Sequence, residues 1–89
     1  MYAADRFQRV HDFLDFCKSK PPREEYHWDI ASICACGQFF GNIDWYPKER
    51  AIDNATGISL NCLAADGKWT FGALAKRVDR ALEVEMAKA

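Results

Sequence analysis

Four cysteines and two histidines are the residues in this 89-residue chain whose types could do chemistry. Cys34-Ala35-Cys36 is the tightest grouping, and Cys17, Cys62, His11 and His27 supply further soft or borderline donors of the kind zinc takes. A set drawn from His27, Cys34, Cys36 and Cys62 is the metal alternative. The spacing argues against it. Structural zinc sites place about two to four residues between paired cysteines, on a turn. If residues 34–36 are helical, the two thiols point about 160° apart at about 100° per residue and cannot share one ion. Small buried core residues are the plainer role for Cys17, Cys34 and Cys62. No metal and no cofactor are expected.

Nucleophilic catalysis needs a thiolate, a base and a group that orients the base. Cys36 can be drawn with His27 or His11, but no cysteine-hydrolase signature surrounds it. Glu24-Glu25 sits beside two prolines in a stretch that reads as a solvated linker. No glycine-rich phosphate loop is present. The sequence carries no catalytic constellation, and the chain is read as a non-enzyme.

The elements that must position these residues begin with Trp28 to Asn42. This stretch carries no charge after Asp29. Asp29 is placed to cap a helix, accepting from the first-turn amides, and Trp28 to staple onto Ile33. Ile30, Ile33, Cys34, Gly37, Phe40 and Gly41 share one side of that helix; Ala31, Ser32, Ala35 and Phe39 share the other. Gly41-Asn42 is the natural stop. The run is too short to span a bilayer, which takes about 20 apolar residues.

Before it, Ala3 to Lys18 reads as an amphipathic helix with Ala3, Phe7, Val10, Leu14 and Cys17 on one stripe, widened by Phe13. Phe16 projects off the stripe, as a second core contact or as an anchor for a partner. Pro21-Pro22 ends the helix. After the central stretch, Asp44-Trp45-Tyr46-Pro47 reads as a turn, and Pro47 to Ala55 as a short helix closed by Gly57. Residues 58–71 read in two ways: a short helix capped by Ser59, which is preferred, or a β-hairpin joined near Asp66-Gly67. Thr70 to Lys88 is a capped helix with Phe71, Leu74, Val78, Leu82 and Met86 as its stripe, and Trp69 stapling onto Leu74. The expected fold is mostly α: one domain spanning residues 1–89, a small three-to-five-helix bundle.

Composition narrows the partners. The chain is 49% hydrophobic and 13% aromatic, enough for a core, and its net charge is −1. Nucleic-acid binders usually carry a basic face and a high pI; here the pI is about 6.1. The outer face of the last helix, Lys76, Arg77 and Arg80, is the alternative nucleic-acid surface, with Asp79 and Glu83 beside it weakening the case. The N-terminus lacks the build of a signal peptide and shows no lipidation box, so a cytoplasmic location with reduced thiols is expected. For protein partners, Phe16, Trp28, Phe39, Trp45 and Tyr46 are the candidate anchors, because Trp and Tyr dominate interface energetics. A homodimer through the central helix is one form of that idea.

The segment His27-Trp28-Asp29 through Cys34-Ala35-Cys36-Gly37-Gln38-Phe39-Phe40 resembles a pattern of short bacterial and phage accessory proteins: an amphipathic N-terminal helix, a Trp, then a Cys-Ala-x-Gly helix. The resemblance covers the first half of the chain. It implies a bacterial or phage-infected host cytoplasm, and a protein that binds and blocks a host protein, including one of a host defence system.

Overall fold

The computed structural model describes residues 6–27, 34–41, 45–65 and 70–88. Within them run five helices: α1 (Gln8–Lys18), α2 (Ala35–Phe40), α3 (Trp45–Thr56), α4 (Leu60–Ala65) and α5 (Phe71–Lys88). The fold is a small helical bundle, and among the described residues there is no strand beyond one isolated bridge, Glu25 to Thr70. α1 and α5 pack on each other, α4 also packs on α5, and α2 joins α1, α3 and α4.

α1 buries the stripe its periodicity predicts: Phe7, Val10, Phe13, Leu14 and Cys17. Its expected first turn from Ala3 lies outside the described residues. The C-terminus is closed by the Ser19 hydroxyl, which donates to the Phe16 carbonyl at 2.6 Å, and the chain then leaves through Pro21-Pro22. That polar linker has a structural task. The Phe71 amide donates to the Glu24 carbonyl at 2.9 Å, and the Gly72 amide to the Pro22 carbonyl at 3.0 Å. The first amides of a helix have no partner within it. Here the linker carbonyls and the Thr70 hydroxyl, which accepts from the Ala73 amide at 3.2 Å, supply them. Gly72 is what permits the approach: a Cβ there would stand 2.9 Å from the Pro22 oxygen.

The central helix is shorter than its sequence suggests. α2 starts at Ala35, and Cys34 is its cap, in an extended conformation (ψ 155°) with its Sγ accepting from the Gly37 amide at 3.0 Å. An extended residue at 34 breaks the continuous helix expected from Asp29 to Phe40. The apolar pattern could not reveal the break, because a buried strand-like stretch and a buried helix are both apolar nearly all round. The Asp29 cap and the Trp28–Ile33 staple fall outside the described residues. Gly41, with φ +97°, ends α2 as predicted.

α3 begins two residues before Pro47, so Trp45 and Tyr46 form its first turn instead of preceding it. Proline is tolerated there, since the amides of a first helical turn lack intrahelical acceptors anyway. At the other end the Thr56 hydroxyl donates to the Ile52 carbonyl at 2.7 Å and accepts from the Ile58 amide at 3.1 Å. Gly57 then takes φ +76°, the left-handed turn for which only glycine is unstrained. Residues 60–65 are helical, which decides against the hairpin; the Ser59 hydroxyl caps α4 by accepting from the Cys62 amide at 3.2 Å. α5 buries Phe71, Leu74, Ala75, Val78 and Leu82, as its spacing predicts. Met86, expected on the same stripe, is 40% exposed. Trp69, and the turn joining α4 to α5, lie outside the described residues.

Candidate functional site

The rings that the sequence offers as anchors fall into two environments. Phe13, Phe16, Phe39, Phe40, Tyr26 and Phe71 form one connected cluster where α1, α2 and the start of α5 meet. Phe39 meets Phe13 edge-on at 5.2 Å and Phe40 at 4.8 Å, and Phe16 meets Phe39 at 5.5 Å and Phe71 at 5.9 Å. Edge and tilted pairs at these distances contribute about 0.5–1.5 kcal/mol each beyond burial. Two cations roof the cluster: the Arg9 guanidinium lies 4.8 Å from the Phe39 centroid and the Lys20 ammonium 5.3 Å from that of Phe16. Phe16 and Phe39 are therefore half-buried and committed within the chain. The central helix is committed too, with Ala35, Cys36, Gly37 and Phe40 all buried. Trp45 is half-buried, Tyr46 is 51% exposed, and Trp28 lies outside the described residues.

The thiols do not assemble a centre. Among the described residues no three His, Cys, Asp or Glu side chains come together as a metal site. Cys34 and Cys36 are buried, while His27 and Cys62 are exposed, and no disulfide joins the four cysteines. Burial pushes the Cys17 thiol up to about 12. Burial raises Cys36 as well, with neighbouring Cys34, Glu49 and Cys17 adding in the same direction. Both are neutral thiols near pH 7, whereas a nucleophile or metal ligand must be a thiolate.

Sequence reasoning missed Glu49. It is 1% exposed and reaches from α3 to the start of α4, where its Oε2 accepts from the Leu60 amide at 3.1 Å. The neighbouring Asn61 backbone also bonds it, and both bonds favour the carboxylate. Desolvation outweighs them, so the carboxyl sits above the usual value of 4.5. Its position one turn before the buried Ile52 was the only signal available. A charged residue on a three-residue helical spacing reads as solvated unless its acceptor is known.

Among the described residues a groove of about 500 Å³ lies between α4 and α5. Leu63, Ala81 and Val84 form its apolar floor, and Lys76, Arg77 and Arg80 line it with positive charge. Val84 is 42% exposed. These three cations are the residues that the sequence nominated as a nucleic-acid face; the structure adds the apolar floor between them and α4. Glu85 is the acidic member of the wall, and the Lys88 ammonium bonds it at 3.1 Å. The groove lies where the six-residue α4 runs beside residues 76–85 of α5. No protein-family model, no curated protein and no solved structure matches this chain.

Proposed function

We propose that this chain is a non-catalytic protein-binding module that docks through the α4/α5 groove. The observation that carries the reading is the pairing of an apolar floor with a basic rim along one side of α5. Apolar surface rimmed by polar groups marks interaction sites on small domains. A contact here stabilises through burial of Leu63 and Val84, while the cations select the partner and speed encounter. The exposed ring of Tyr46, on α3, is a second contact point. The resemblance to phage and bacterial accessory proteins makes an inhibitor of a host defence protein the form of binding to test first. Among the described residues no helix is long and apolar enough to cross a membrane.

A photo-reactive amino acid placed at Val84 in the cell that expresses the chain tests this reading. A discrete protein adduct at Val84, absent when the same group replaces exposed Asn54 on α3, is the expected result. Equal or no labelling at both positions overturns it. The second reading, nucleic-acid binding through Lys76, Arg77 and Arg80, shares the same rim. It requires DNA or RNA binding that weakens steeply with salt and with Arg80→Ala.

A further inference from the structure

We draw no further inference here: the strongest candidate, the groove between α4 and α5 with its apolar floor of Leu63, Ala81 and Val84, belongs to the site already described, and nothing in the structure shows what covers it.

Discussion

The two ends of α5 both carry apolar side chains, and these meet opposite fates. At its start, Phe71 is fully buried, ringed by Phe16 and Tyr26, with linker carbonyls on its amides and Lys20 5.8 Å from its ring. At its end, Val84 is 42% and Met86 40% exposed. Helical periodicity is indifferent to this contrast, since a stripe says which face is apolar and not how far along its length a neighbour reaches. What differs is supply. α1 and the linker meet the start of α5 through Phe16, Tyr26 and the Pro22 and Glu24 carbonyls, whereas Leu63 of the six-residue α4 lies beside its later turns. One end of the helix holds the bundle together, and the other end is left available.

That contrast can be broken most forcefully at the closed end. Phe71→Ala removes a ring shared by α1, the linker and α5, and should lower unfolding free energy by about 3–5 kcal/mol in chemical denaturation. A loss below about 1 kcal/mol would mean that the ring cluster is not what holds α5.

Glu49→Ala comes next. It strips the Leu60 amide of its buried acceptor and opens a void between α3 and α4, with an expected loss of about 2–4 kcal/mol at pH 7. The conservative Glu49→Gln keeps the volume and removes the titration. In the wild type the folded carboxyl binds its proton more tightly than the unfolded chain does, because its value lies above 4.5. The protonated form therefore adds stability that is fully present below pH 4.5 and is lost as pH rises through the folded value. Denaturation midpoints across pH 4–8 should show wild type declining relative to Glu49→Gln as pH rises. Parallel curves would mean that Glu49 is solvated.

Gly72→Ala sharpens the comparison at the start of α5. The added methyl meets the Pro22 oxygen, so the linker must retreat, at about 1–3 kcal/mol despite the helix preference for alanine. A stabilised variant would show that the linker does not hold the first turn. At the open end, Met86→Ala should change thermal stability by no more than about 0.5 kcal/mol, as exposed substitutions usually do. A larger loss there would place Met86 in a contact and close the contrast between the two ends.

Much of this division was legible from residue order alone, element by element. The α1 stripe from Phe7 to Cys17, the Thr70 and Ser59 caps and the left-handed Gly57 all follow from local rules, because helix spacing and capping are settled within one turn of the chain. The late start of α2 was not legible, since the thiol of Cys34 competes for the cap and short helices add little preference of their own. Of the surface, Lys76, Arg77 and Arg80 were found as a basic ridge, but the floor beside them was not. Leu63 lies thirteen residues before the nearest of these cations, and no local pattern links them.

The sequence by itself determined that this chain is helical, where most helices stop, and which side chains prefer to leave water. Tertiary structure alone decided which rings were already used, that a carboxylate belongs inside at Glu49, and that the far half of α5 has a groove beside it. The reason is physical: backbone preference and apolar spacing act over a few residues, whereas the covering of a surface depends on segments distant in the chain reaching it.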